Sequence, residues 1–341
     1  MLFAGIAWTA AGFDVAFRDD AGNVPADPEG FTAEASGELV ARLVRLHAAA
    51  DHELVCVVDS TQGMVDGGLL RHGVPVHRAD PWLLPSRPAF GSVDADTLAL
   101  AGITRLTELP RLVLTEGSLT GRDVTDDRLD PGCEPLAADP TTSRPWTRLA
   151  PTAGNAVALT FDDGPNPPCT EPILDILERY DVTATFFCVG LQARAHPEML
   201  ARMTAAGHSV GNHTWSHPLL HDLTPAEVAA QVDRTAEVIA LAAGGQPPRL
   251  FRPPYGAGAD TVLASPDAAT INAVLWDVDT GDWAMPGSEA IARAVLSQAQ
   301  PGSIVLMHDG GGDRSQSVAA LPTIIEGLLD RGLSLVPLRP R

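Results

Sequence analysis

The chain contains no lysine. Its 23 basic residues other than histidine are all arginine, set against 43 acidic residues, for a formal net charge of −20 over 341 residues. So little positive charge argues against a nucleic-acid partner held through phosphate contacts, which need basic patches. It also disfavours anionic membrane surfaces. Cysteine is sparse too. Cys56, Cys133, Cys169 and Cys188 are scattered, and none has a CxxC partner, so neither a zinc ribbon nor a thioredoxin-type site is expected. Cys56 and Cys188 lie inside apolar runs and read as buried thiols; a disulfide between the other two stays open. No apolar run approaches the length of a membrane span. The start, Met1 to Trp8, lacks a basic region and is soon followed by Asp14. It does not read as a signal peptide, so the default expectation is a cytoplasmic location, with action outside the cell or at the cell wall reached by another route.

What is present is a globular composition, 45% hydrophobic and 5% aromatic, in a chain long enough for two domains. Residues 2–8 are apolar and 13–18 alternate, with a turn signal at Asp20-Ala21-Gly22-Asn23. This predicts a hairpin with a third short strand. A helix is predicted from Glu38 to Ala50 on the Leu39, Leu43 and Leu46 face. A buried strand from Leu54 to Val58, ending at Asp59, is followed by a helix near Gly63 to His72, a strand at Val74-Pro75-Val76 and a helix from Asp94 to Ala101. That order of hairpin, helix, strand, helix, strand resembles the ribonuclease-H-like fold, most of all the N-terminal part of transposases that use four acidic residues. The resemblance implies an acid at the end of the first strand, where this chain has Ala7. Asp59 and the pair Asp94 and Asp96 match later acidic positions. Without the first acid a two-metal phosphodiesterase site is incomplete. Residues 1–101 are therefore expected to form a smaller α/β domain, degenerate or repurposed, with Asp59 at a solvated strand end. Residues 102–152 read as a linker or wrapping segment, with one strand at Leu112-Val113-Leu114 and no periodicity from Asp123 to Pro151.

From Ala156 onward the pattern becomes regular. Strands are predicted near 156–161, 184–189, 208–211, 249–251, 273–278, 303–307 and 333–336, and helices near 171–179, 197–206, 225–243, 288–299 and 318–331. Thr224-Pro225-Ala226-Glu227 marks a helix start. Seven strands with interleaved helices argue for parallel α/β architecture, a distorted (β/α)7 barrel over 153–341. Polar segments recur at the strand ends: Thr160-Phe161-Asp162-Asp163-Gly164, His213-Thr214-Trp215-Ser216-His217-Pro218, Arg252-Pro253-Pro254-Tyr255, Asp279-Thr280-Gly281-Asp282-Trp283 and Leu306-Met307-His308. Chemistry gathered at strand ends is how such a barrel builds a site at one face.

In this order the five segments are similar to the five motifs of the polysaccharide deacetylase family, also called the NodB-homology domain or carbohydrate esterase family 4. The resemblance covers about residues 155–338. It implies a metal triad of Asp163, His213 and His217, a donor set that suits catalytic zinc, with cobalt or nickel as further candidates. It implies Asp162 as the general base, held ionised and oriented by Arg252. His308 would be the general acid, oriented by Asp279. The backbone N–H of Tyr255, the first after two prolines, would be an oxyanion donor. Trp283 and Leu306 would be apolar walls for the acetyl methyl. The activity implied is metal-dependent removal of N-acetyl groups from N-acetylglucosamine-containing glycans, of chitooligosaccharide or peptidoglycan type, with release of acetate. The rivals are an O-acetyl esterase on a polysaccharide such as xylan, a non-catalytic acetyl-glycan binding protein, and a nuclease centred on the first domain. The intact base and acid argue against pure binding, and Ala7 with the charge of −20 argues against the nuclease. An acetylated glycan is the expected partner; the oligomeric state is not legible.

Overall fold

Strand and helix signals from Leu2 onward build the first of two units in the computed structural model, Met1–Asp126 and Asp127–Arg341. The structure describes residues 1–49, 53–59, 65–79, 84, 92–109, 111–112, 114–115, 118–119, 145–150, 153–218, 220–263 and 271–340. Cys133, the segment Ser265-Pro266-Asp267 and most of the stretch from Asp123 to Pro151 lie outside the described residues.

In the first unit β1 (Leu2–Trp8), β2 (Gly12–Asp19) and β3 (Glu29–Thr32) form an antiparallel meander. Then come α1 (Ser36–Ala48), β4 (Leu54–Val58), α2 (Asp66–Arg71), β5 (Val76–Arg78), α3 (Ala95–Arg105) and β6 (Arg111–Leu112). The sheet order is β3-β2-β1-β4-β5-β6, with β4 parallel to β1 and β5 parallel to β4. Helix α3 lies tight on β1. A Cβ at Gly5 would fall 1.9 Å from the Ala95 carbonyl oxygen, so no larger residue fits there. The acids singled out in this unit are occupied structurally. Asp94 caps α3 by accepting from the Thr97 amide, and Asp96 takes a bidentate contact from Arg18. Asp59 is only 7% exposed, so it is not at a solvated strand end. The single strand expected at Leu112-Val113-Leu114 is divided. Leu112 ends β6, while Leu114 opens β7 (Leu114–Thr115), which pairs with β8 (Ser118–Leu119); Val113 lies outside the described residues. So do Gly63 and Met64, at the start of the helix expected over 63–72.

The second unit runs β9 (Ala156–Asp162), α4 (Pro167–Arg179), β10 (Thr185–Cys188), α5 (Gly190–Ala195), α6 (Pro197–Ala205), β11 (Ser209–Asn212), α7 (Pro225–Ala242), β12 (Leu250–Phe251), α8 (Ala259–Leu263), β13 (Asn272–Ala273), β14 (Val278–Asp279), α9 (Ser288–Gln298), β15 (Ile304–His308), α10 (Ser315–Asp330) and β16 (Ser334–Leu335). Its strands pair in parallel in the order β13-β12-β11-β10-β9-β15-β14, with β16 beside β9. Beneath the helices lies a core that includes Leu159, Phe161, Phe186, Met307, Leu321 and Ile324. Phe161 and Phe186 stack at 5.2 Å; burying each such ring contributes about 2 kcal/mol.

The strand expected over 273–278 is in fact β13 and β14, on opposite edges of the sheet, joined by residues 274–277. A link of that length spans at most about 18 Å. Seven strands laid flat would hold the edges about 29 Å apart. The sheet is therefore curled into a parallel half-barrel, and its strand ends converge. Residues 146–149 stitch the seam: the Trp146 amide donates to the Ala273 carbonyl, Leu275 to Trp146, and Leu149 to Gly302. Two further helices, α5 and α8, were not anticipated. Helix α4 begins earlier than expected, at Pro167, because Pro-Pro suits the first turn, where amide hydrogens lack partners anyway.

Candidate metal centre and catalytic site

The site starts on β9, where alternation puts Thr160 and Asp162 on one face. Both meet the same cation. Arg252 Nη1 donates to Asp162 Oδ1 at 2.7 Å and to Thr160 Oγ1 at 2.8 Å. Arg252 is fully buried. It also donates to the Val274 and Leu275 carbonyls and lies over the Phe187 ring at 4.2 Å. Burial pulls its guanidinium down, and Asp162 opposes that. The next residue, Asp163, has φ 74°. It leaves the strand conformation, so its side chain is free of the opposite-face rule that would separate it from Asp162. A cis bond links Gly164 and Pro165. Gly164 is required by close approach, since a Cβ there would lie 2.0 Å from Asp309 Oδ2.

The His213–His217 loop follows β11 and brings both imidazoles to Asp163. His213 Nε2 lies 3.4 Å, and His217 Nε2 3.2 Å, from Asp163 Oδ1. Ligand atoms of the three residues all lie within 4.8 Å of one another. His213 Nδ1 is 2.7 Å from the Arg252 carbonyl. A carbonyl only accepts, so Nδ1 carries the hydrogen, and in the neutral ring Nε2 turns a lone pair toward the carboxylate. Burial pushes His217 down to about 4, against the pull of Asp163, so its ring is neutral at ordinary pH. Burial would raise Asp163, but the imidazoles of His217, His213 and His308 outweigh it and hold the carboxyl well below the usual range. Asp163 Oδ1 is buried with no hydrogen-bond partner among the described residues. Lone pairs and a carboxylate converging on one point repel unless a cation lies between them. Two imidazoles and a carboxylate fit a divalent transition metal and leave positions for water and substrate.

His308 ends β15. Its Nδ1 lies 2.7 Å from Asp282 Oδ1, and its amide donates to Asp282 Oδ2 at 2.9 Å. Burial alone would lower His308, but Asp282 and then Asp163 lift it to about 9. The carboxylate expected to orient His308 was Asp279. The structure instead leaves Asp279 exposed, accepting from the Gly281 amide. Gly281, with φ 62°, turns the chain between the two acids, so Asp282 is the one carried inward. Asp282 is fixed further by the Ser317 hydroxyl at 2.6 Å.

Tyr255 has φ 59°, and its ring meets the His217 ring edge-on at 4.6 Å. Leu306 is buried on β15 and Trp283 half-buried; the Trp283 carbonyl accepts from Arg314. Asp163, Thr214, His217 and Tyr255 all hold positive φ, a strain of order 1–2 kcal/mol each that the surrounding contacts must offset. Sequence reasoning missed Thr160, Asp282, Arg314 and Gln231. Thr160 was signalled by its two-residue spacing from Asp162, and Asp282 by its place beside Trp283. Arg314, which ties the Gly310 and Gly311 carbonyls to that of Trp283, and Gln231, which binds the Trp215 and Ser216 amides, carried no local signal.

Comparison with known proteins places the second half of the chain among known sequences and structures. The polysaccharide deacetylase pattern matches residues 150–274. A chitooligosaccharide deacetylase of Bradyrhizobium sp. (strain ANU 289) is 44% identical over 194 residues, 54% of this chain and 89% of that protein. A peptidoglycan-N-acetylglucosamine deacetylase of Bacillus cereus is 38% identical over 200 residues, 58% of this chain and 92% of that protein. Among solved structures, a peptidoglycan N-acetylglucosamine deacetylase in complex with a small-molecule benzamide superimposes with a TM-score of 0.54 at 38% identity, covering 56% of this chain and 89% of that one. With nearly the whole of these proteins covered at such identity, the chain belongs to the polysaccharide deacetylase family.

Proposed function

We propose that the chain is a metal-dependent hydrolase that removes N-acetyl groups from N-acetylglucosamine-containing glycans, of chitooligosaccharide or peptidoglycan type, and releases acetate. The observation that carries this reading is the pairing around the triad. Asp162 is paired with Arg252 and His308 with Asp282, and Asp162 and His308 are register partners on β9 and β15, next to Asp163 of the triad. A binding site needs neither pair; an amide hydrolase needs both.

Asp163, His213 and His217 would hold the cation, with zinc as the first candidate and cobalt or nickel next. When bound, a divalent cation there makes a water acidic enough to lose a proton near neutrality and polarises the acetyl carbonyl. The chain's own residues do the rest. Arg252 occupies Asp162 Oδ1, so Oδ2 is the atom left to take the proton of the attacking water. His308 is held at Nδ1 by Asp282, so Nε2 carries the proton that goes to the departing amine as the C–N bond breaks. Tyr255, the first residue after Pro253 and Pro254 to possess an amide hydrogen, would donate it to the oxyanion. Trp283 and Leu306 would line the acetyl methyl.

The test is acetate release from chitooligosaccharides by metal-stripped and by zinc- or cobalt-reconstituted protein, with Asp162→Asn alongside. Metal-dependent release that Asp162→Asn abolishes is expected. Release from O-acetyl xylan but never from an amide would replace this reading with the esterase one. Firm metal binding without hydrolysis of either substrate would replace it with a binding protein.

A further inference from the structure

The loop bearing both imidazoles is built against its own conformational preference. Thr214 and His217 hold φ of 68° and 57°, a region that L residues with side chains avoid. Such a loop keeps one shape only if its backbone groups are tied. The His213 amide donates to the Cys188 carbonyl at 3.0 Å, and the Thr214 amide to Asn212 Oδ1 at 2.9 Å. The Thr214 and Trp215 carbonyls accept from the Gly190 and Leu191 amides at 2.8 and 3.1 Å. His217 donates to Thr214 Oγ1 at 3.2 Å. The amides of Trp215 and Ser216 remain, and both donate to a single atom, Gln231 Oε1, at 2.8 and 2.9 Å. Gln231 Nε2 in turn donates to Ser216 Oγ at 3.0 Å. Gln231 is 3% exposed and projects from α7. The two imidazoles do not depend on this loop equally. His213 has its own anchor on the Arg252 carbonyl. His217 Nδ1 is buried with no hydrogen-bond partner among the described residues, so its ring is aimed by the loop and by packing on Tyr255.

We propose that Gln231 is a positioning residue of the metal centre: by holding the Trp215 and Ser216 amides it sets the aim of His217 relative to His213 and Asp163, and with it the affinity for a divalent cation. This rests on the metal-centre reading above. Gln231 touches neither the cation nor the substrate; it acts through the loop. Without its carbonyl oxygen two buried amide hydrogens lose their acceptor, and the cheapest remedy is for the strained loop to relax, which turns His217 away.

The experiment uses the full chain, stripped of metal and titrated with cobalt(II) and zinc(II) against a chromophoric chelator. The visible spectrum of the cobalt protein and the metal-free melting temperature are recorded in parallel. Gln231→Leu is expected to bind both metals about 10-fold more weakly or worse, and to shift the cobalt spectrum. Gln231→Glu is expected to stay within about threefold, since a carboxylate offers acceptors to both amides and to the Ser216 hydroxyl. Gln231→Asn, whose amide is withdrawn by one methylene, covers the case in which Gln231→Leu does not fold, and is expected to weaken binding in the same direction. A folded Gln231→Leu or Gln231→Asn with unaltered affinity and spectrum overturns the proposal. So does a Gln231→Glu as weak as Gln231→Leu, because the amide contacts would then not be what matters. If the unaltered protein binds neither metal, it is the metal-centre reading that fails, and this shows before any substitution is made.

Discussion

In the reaction proposed above, the position of a single proton on His308 governs departure of the amine. Asp282 receives the ring at Nδ1 and outweighs the cost of burial, so the imidazolium persists to about pH 9. Removing that carboxylate lowers the His308 pKa toward its ordinary value, and the proton needed by the leaving amine is then lost at lower pH. Asp282→Asn is therefore expected to reduce kcat about 100-fold and to move the alkaline limb of the pH–rate profile downward. Asp279→Asn, at an exposed position, is expected to do neither; steady-state pH profiles of both variants check this. Arg252 is the complementary case. Arg252→Leu leaves Asp162 buried without its partner, and a loss of about 3–5 kcal/mol is expected in urea unfolding. His208 offers a pH-dependent contribution to stability. Its Nδ1 accepts from the Ala184 amide, and burial pushes its pKa down to about 4. The unfolded chain then binds the proton more readily than the native one. The contribution is intact above about pH 6.5 and is lost as pH falls toward 4, by at most about 3 kcal/mol. Unfolding at pH 7 and pH 4.5, compared with His208→Gln, measures it.

Helix α7 links a local signal to a distant one. Thr224 and Glu227 form a reciprocal capping box at its start, and Gln231 lies one turn further on. Thr224→Ala is expected to cost about 1 kcal/mol in denaturant titration while leaving metal affinity unchanged, because packing of Val228 and Val232 still holds the helix in place. The turn after β9 is less tolerant. In Gly164→Ala the added methyl meets the buried Asp309 carboxyl at 2.0 Å. That group accepts from Thr170, and burial holds it at about 7. It has nowhere to retreat, so the change is expected to displace Asp162 and Asp163 and abolish acetate release in an otherwise folded protein. Such elements were legible where the signal was local. The capped start of α7 and the apolar runs of β9 and β15 stood where they were expected. The 273–278 strand did not, because the break between β13 and β14 comes from curling of the sheet, and a run such as Ala273-Val274-Leu275-Trp276 does not record which edge each of its halves will join.

At the scale of the molecule, every residue assigned a part in the site lies between Thr160 and Arg314, inside the second unit. A chain beginning at residue 127 is therefore expected to keep kcat/KM on a soluble chitooligosaccharide within about threefold of the full chain. A larger loss would show that the first unit takes part in catalysis. The charge of −20 belongs to the whole chain. No salt-dependent retention on immobilised DNA is expected, in keeping with an Asp96 already engaged by Arg18 and an alanine at position 7.

The order of the five polar segments was enough to name the family and to single out Asp163, His213 and His217, which the structure brings together, and Asp162, which it pairs with Arg252. Their chemistry depends on residue type at a strand end, and both are written locally in the chain. Which of two acids three residues apart turns in to His308, which acceptors besides Asp162 the Arg252 guanidinium reaches, and which buried amide braces the histidine loop were decided only in three dimensions. Each depends on a turn of positive φ or on an approach between segments tens of residues apart, and no local pattern encodes where such segments will meet.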